Sequence, residues 1–172
     1  MLPAVILPLY RSGKATEDEI VQMLYVSAGI GKVIAENAFI AGAAGGCQAE
    51  IGAASAMAAG ALCSLTCTDE EQIGHAAAIA LKNLLGLVCD PVAGLVEVPC
   101  VKRNVVGTVN AISAADMALA GIDSRVPVDQ VIKAMRDVGE HMSVELRETA
   151  LGGLAATEFG ESIKAKMWGS EK

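Results

Sequence analysis

The sequence predicts an all-α fold: a compact bundle of about six to eight helices, rich in alanine and glycine, with no substantial sheet. Three observations carry this reading. Capping signals precede apolar residues at helical spacing, segments alternating with period two are nearly absent, and only 3 % of residues are aromatic, which leaves Ala, Val, Ile, Leu and Met to build the core. At 172 residues and 53 % hydrophobic content the chain can bury one sizeable core. No repeat, linker or low-complexity tract divides it, so residues 1–172 read as a single helical domain.

Thr16-Glu17-Asp18-Glu19 is a capping box, and Ile20, Leu24, Ser27, Gly31 and Ile34 follow it on one helical face. The stretch from Ala49 to Leu65 reads as helix despite Gly52 and Gly60, because nothing in it alternates. A second capping box, Thr68-Asp69-Glu70-Glu71, opens a helix carrying Ile73, Ala77, Ala80 and Leu84. Leu95-Val96-Glu97-Val98 is the one strand signal, short and bounded by Gly94 and Pro99. A long helix runs from about Val101 to Ala120, with Val105, Val109, Ile112 and Leu119 on one side and Gly121 placed to end it. Another begins near Pro127-Val128-Asp129 and carries Val131, Met135 and Val138.

Charge narrows the function classes. The net charge is −7 and the lysines and arginines are scattered singly, so no basic stripe exists to neutralise phosphates and nucleic-acid binding is excluded. Ile51 to Thr68 is an uncharged run, yet small and hydroxylic residues dominate it and Asp69-Glu70-Glu71 follow at once, which makes a poor membrane span. Met1 to Pro8 lacks a basic start and carries two prolines, unlike a secretory leader. With an odd count of five cysteines, this points to the reducing cytoplasm and to free or metal-bound thiols.

Three cysteines sit beside backbone breakers: Gly46-Cys47-Gln48, Val88-Cys89-Asp90-Pro91 and Val98-Pro99-Cys100. Such positions suit metal-ligating thiolates better than core thiols, which more often lie mid-helix. Their separations, 42 and 11 positions, exclude the close Cys-x-x-Cys pairs of zinc ribbons and ferredoxins. Separated thiolates suit a cubane cluster with one iron left without a protein ligand, able to act as a Lewis acid on a substrate hydroxyl. On spacing alone, three unrelated core cysteines are the commoner arrangement. Gly45 and Gly46 would let backbone approach a bulky group, the Asp90-Pro91 step could aim turn N–H groups at sulfur, and Pro99 restricts the approach to Cys100.

The surrounding words are more specific. Gly42-Ala43-Ala44-Gly45-Gly46-Cys47-Gln48-Ala49-Glu50, the run from Asn83 through Cys89-Asp90-Pro91 to Pro99-Cys100, and Leu146-Arg147-Glu148-Thr149-Ala150-Leu151-Gly152-Gly153-Leu154-Ala155 closely resemble the alpha chain of the iron–sulfur-dependent L-serine dehydratases. The resemblance covers nearly the whole chain. It implies that Cys47, Cys89 and Cys100 hold a 4Fe-4S cluster with one iron free of protein ligand. It also implies conversion of L-serine to pyruvate and ammonia without pyridoxal phosphate, in the cytoplasm, with a beta domain or beta chain as partner. The competing reading is a non-enzymatic helical assembly domain with empty cysteines.

Other residues carry weaker claims. Arg103, three positions after Cys100, is the best candidate for a substrate carboxylate, in competition with a structural ion pair. Asn37, Gln48 and Glu50 flank the first cysteine and could line the pocket. Cys63 and Cys67, four apart, read as core thiols, and His75 and His141 as surface or capping residues. No residue is identified as the general base. Gly29-Ile30-Gly31 lacks the third glycine of a dinucleotide fingerprint.

The chain also departs from its relatives, which usually carry Asn-Ala-Ser-Ile-Ser-Gly where Asn37-Ala38-Phe39-Ile40-Ala41-Gly42 stands here. Phe39 is expected to crowd the pocket and Ala41 to remove a hydrogen bond. The family's chain is expected to extend before Met1, so this one reads as a carboxy-terminal part, inactive alone. Apolar surface left by the missing segments is expected to favour homo-oligomers.

Overall fold

A computed structural model describes residues 1–169 and has eight α-helices: α1 (Leu2–Arg11), α2 (Glu17–Asn37), α3 (Gly42–Gly45), α4 (Ala53–Ser64), α5 (Glu71–Lys82), α6 (Cys100–Leu119), α7 (Val128–His141) and α8 (Glu158–Trp168). No strand or sheet occurs among the described residues; a single parallel bridge joins Cys89 to Arg147. No helix there is long and apolar enough to cross a membrane.

The bundle is built around α4. Buried residues occur on every side of it, among them Ala53, Ser55, Ala56, Ala58, Ala59, Ala61 and Cys63, as expected of a helix apolar all round and enclosed by neighbours. It packs between α2, α5 and α6, with α1 across one end and α7 on α5. Alanine at these positions brings the axes close, and Gly60 completes the fit, because a Cβ there would collide with the Ile30 side chain of α2. Polar bracing crosses the same seam: Asn110 Nδ2 donates to Ser55 Oγ (2.8 Å) and to the Ala80 carbonyl (2.9 Å), and Ser55 Oγ donates to the Gly107 carbonyl (2.8 Å). These bonds join α4, α5 and α6 with their buried polar groups satisfied.

Three helices, α2, α6 and α7, begin where the sequence says they should. Thr16 caps α2 reciprocally, its Oγ1 accepting from the Glu19 N–H (3.3 Å) and its own N–H donating to Glu19 Oε2 (2.7 Å). Pro127 precedes α7, and Gly121 takes a left-handed φ of 83° beyond the end of α6.

Three expectations are corrected. Leu95–Val98 forms a turn, not a strand: with no neighbouring strand to satisfy it, the segment closes on itself through a Val92 N–H bond to the Val98 carbonyl (2.9 Å). The second capping box does not close, because Asp69 Oδ1 takes the Glu71 N–H (2.9 Å) and Thr68 donates its backbone N–H to Gln72 Oε1 (3.1 Å), so α5 starts at Glu71. The helix expected from Ala49 enters through a π turn over Gln48–Gly52 before becoming α-helical at Ala53. Three helices, α1, α3 and α8, were not legible. In α1, Pro3 sits in the first turn, where no N–H is missed, and Pro8 lies inside the helix.

Candidate metal centre

Gly46, with a left-handed φ of 77°, ends α3 and turns the chain so that Cys47 enters the π turn with its side chain buried. Widened turns of this kind recur at functional sites. Gln48 holds the corner: its backbone N–H donates to the Leu87 carbonyl (2.9 Å), its Nε2 donates to the Met135 carbonyl (3.1 Å), and its Oε1 accepts the Gly86 N–H (3.0 Å). A single buried amide thereby docks the loop leading to Cys89 against the Cys47 turn and α7.

Cys89 is fixed from the other side by the carboxy-terminal segment. Its N–H donates to the Leu146 carbonyl (2.8 Å) and its carbonyl accepts the Glu148 N–H (2.8 Å). Asp90, 3 % exposed, is a hub: Oδ1 accepts from Arg103 Nη1 of α6 (2.8 Å) and Oδ2 from the Leu154 N–H (2.8 Å). The turn after it does not aim N–H groups at sulfur as expected. Those of Val92, Gly94 and Leu95 are spent on the carbonyls of Val98, Pro91 and Val92, a closed backbone turn being the nearer partner. Cys100, half-buried, is the first residue of α6, where the helix dipole favours a negative sulfur.

These elements bring all three cysteines to one open cavity of about 270 Å³, which Glu50, Asn104 and Glu148 also line. The sulfurs of Cys47 and Cys89 and a carboxylate oxygen of Glu50 lie within 4.8 Å of one another. Cys100 lines the same cavity outside that inner group. Gly42 forms part of the wall: a Cβ there would stand 3.1 Å from Cys89 Sγ, 3.1 Å from Glu50 Oε2 and 3.2 Å from Glu148 Oε2. The centre is rich in acids. Burial first, then Cys47 and the carboxylates of Glu50 and Glu148, hold the Cys89 thiol far above its ordinary range. Cys100 is raised by burial and by Cys47, against the lowering effect of Arg103. Crowded thiols beside carboxylates are satisfied by a cation, whose charge favours thiolate.

The remaining expected site residues are distributed unevenly. Arg103 Nη1 donates to the Val88 carbonyl (2.7 Å) and Asp90 (2.8 Å) and contacts Cys47 Sγ (3.7 Å). Asn37 ends α2 away from the cysteines, donating to the Val33 carbonyl (2.8 Å) and lining a separate cavity with Lys133 and Arg136. Phe39 does not crowd the cysteine cavity. Its ring packs against Gly45 and Gly139, at the contact of α3 with α7. Cys63 is enclosed in the core, its thiol pushed up to about 11 by burial and by Cys67. Sequence reasoning missed Glu148 and the hub role of Asp90. Glu148 adopts a left-handed φ of 64°, rare for glutamate and typical of constrained sites, but the conformation comes from pairing with Cys89 and leaves no local signal.

Comparison with known proteins gives one answer. Residues 1–155 match the family described as serine dehydratase alpha chain. The chain is 51 % identical over 170 residues to the probable L-serine dehydratase, alpha chain, of Latilactobacillus sakei, covering 99 % of this chain and 81 % of that relative. It is 52 % identical over 169 residues to the probable L-serine dehydratase, alpha chain, of Bacillus subtilis (strain 168), covering 98 % and 56 %. To the L-serine dehydratase, alpha chain, of Peptoniphilus asaccharolyticus it is 49 % identical over 164 residues, 95 % of this chain and 56 % of the relative. The chain thus spans little more than half the length of the last two relatives (56 %). With its residues 1–155 matching the family model and about half its residues identical to these relatives over nearly all its length, the chain belongs to the serine dehydratase alpha chain family.

Proposed function

We propose that this chain is the cluster-bearing part of an iron–sulfur L-serine ammonia-lyase, a lyase acting in the cytoplasm together with a beta chain or beta domain. The observation that carries the reading is the convergence of Cys47, Cys89 and Cys100, from three separate elements, on one open cavity. The donor set suits a 4Fe-4S group: three thiols for four irons leave one iron for substrate, and a wall lacking a Cβ at Gly42 leaves room beside the inner sulfur. When bound, such a group supplies a Lewis-acidic iron that makes hydroxide a workable leaving group near neutral pH. Net reaction removes the α proton and β hydroxyl of L-serine as water; the aminoacrylate tautomerises and is hydrolysed to pyruvate and ammonia. Glu50 and Glu148 offer carboxylates at the cavity wall where a proton can be held. Gln48 acts as a holder of the cysteine frame, and Asn37 takes no part in it.

Anaerobic reconstitution tests this. Iron and sulfide near four each per chain, visible absorbance perturbed by L-serine, and loss of both in Cys47→Ala, Cys89→Ala and Cys100→Ala are expected. Pyruvate release is expected when the beta partner is added. Iron bound equally well by all three variants would overturn the assignment.

A further inference from the structure

We infer that Arg103 is a positioning residue for the sulfur of Cys47, and that its guanidinium tunes how readily the metal group held there accepts an electron. The inference rests on the cluster reading above, but its geometry stands by itself. Arg103 and Asp90 are the partly and fully buried members of one ion pair, with side-chain exposures of 17 % and 4 %. The same Nη1 meets three acceptors on two different cysteine loops: Val88 carbonyl and Asp90 beside Cys89, and Sγ of Cys47 at 3.7 Å. Arg103 itself stands one turn into the helix that starts at Cys100, and its N–H donates to the Pro99 carbonyl (3.1 Å). One side chain therefore spans all three cysteine-bearing elements.

A donor on a ligating sulfur stabilises the more negative, reduced form of an iron–sulfur group, so removing it makes reduction harder. Lysine keeps the charge on a side chain one atom shorter, so its ammonium stops short of the place where Nη1 meets carbonyl, carboxylate and sulfur together. The buried pair dictates the variants: Arg103→Met alone strands the Asp90 charge and endangers folding, whereas Asp90→Asn with Arg103→Met removes both charges and keeps an acceptor for the Leu154 N–H. Arg103→Lys retains the charge.

The experiment compares the full chain and these two variants after anaerobic reconstitution, by redox titration. The expected result is a reduction equilibrium displaced about fivefold to tenfold toward the oxidised form in the double variant, and less in Arg103→Lys. Unchanged reduction, with or without a raised KM for L-serine, overturns the inference while leaving the cluster intact. If the wild type assembles no cluster, the cluster reading fails, and a second arm still decides on Arg103. Apo chain is titrated with Cd²⁺ and followed by the sulfur-to-metal ultraviolet band. Several-fold weaker Cd²⁺ binding in the double variant, with no such deficit in a Cys47→Ala background, supports the contact; equal affinities overturn it.

Discussion

Gly42 and Phe39 lie three residues apart, and the fold uses them for different ends. The absent side chain of Gly42 keeps the space where Cys89, Glu50 and Glu148 converge. Gly42→Ala puts a methyl group about 3 Å from all three, a contact the site accommodates by shifting one of these side chains by a few tenths of an ångström. Its expected phenotype is roughly tenfold weaker metal uptake with an unaltered helical circular-dichroism spectrum. Phe39→Ala acts the other way. Loss of a half-buried ring between Gly45 and Gly139 should cost about 2 kcal/mol in a urea titration, with metal uptake within twofold of wild type. The cysteine ligand candidates were legible because glycine and proline punctuate them. The orientation of Phe39 was not, since sequence records a bulky residue near a motif without saying which side of the turn it takes. Glu148 stands within a recognisable motif, yet its role is not legible there, because its reach to Cys89 depends on pairing across more than fifty residues.

Among elements, the helices with chemical start signals were readable and those formed by tertiary support were not. Thr16 shows the first kind. Its hydroxyl satisfies an N–H that the first turn of α2 leaves open, so Thr16→Ala should lower stability by about 1 kcal/mol in chemical denaturation while leaving metal uptake at the cysteine site unchanged. The second kind is α8, which docks on the turn after Asp90 and reaches it through Trp168 Nε1, donating to the Ala93 carbonyl (3.1 Å). Its own sequence announces only the cap at Thr157. That docking supplies a measurement. Trp168, the sole tryptophan, bonds the carbonyl of Ala93, four residues after Cys89, so metal loading should quench its fluorescence in the wild type and fail to do so in Cys89→Ala. The turn at 95–98 shows why local pattern misleads in a helical protein: β-branched residues alone do not make a strand when no edge is present to receive them.

For the molecule as a whole, pH acts from both ends. The exposed carboxylates of Glu19 and Asp123 are held below their ordinary values, the first by the Thr16 N–H and hydroxyl, the second by the Arg125 N–H. A lowered carboxylate contributes stability that is present above its unfolded pKa and lost as pH falls through the folded one, so melting should decline below about pH 4. Cys63 has the opposite sign. Its folded value of about 11 exceeds the unfolded one, so the neutral thiol is favoured in the core. That contribution is whole below about pH 8.5 and lost as pH climbs toward the folded value. Thermal melts of apo protein from pH 7 to 10.5 should therefore fall more steeply in the wild type than in Cys63→Ala.

The strap from Leu146 to Leu154, which closes on Cys89 and Asp90, has a consequence in time. A ribosome delivers Cys47, Cys89 and Cys100 early, while the backbone that steadies the middle one is still unsynthesised. Nascent chains halted near His141 would carry every thiol and nearly all of the bundle, yet lack the clasp, so metal delivered at that stage would meet an unfinished seat. Loading of a metal there would thereby be a late event in the chain's life, ordered by the direction of translation itself.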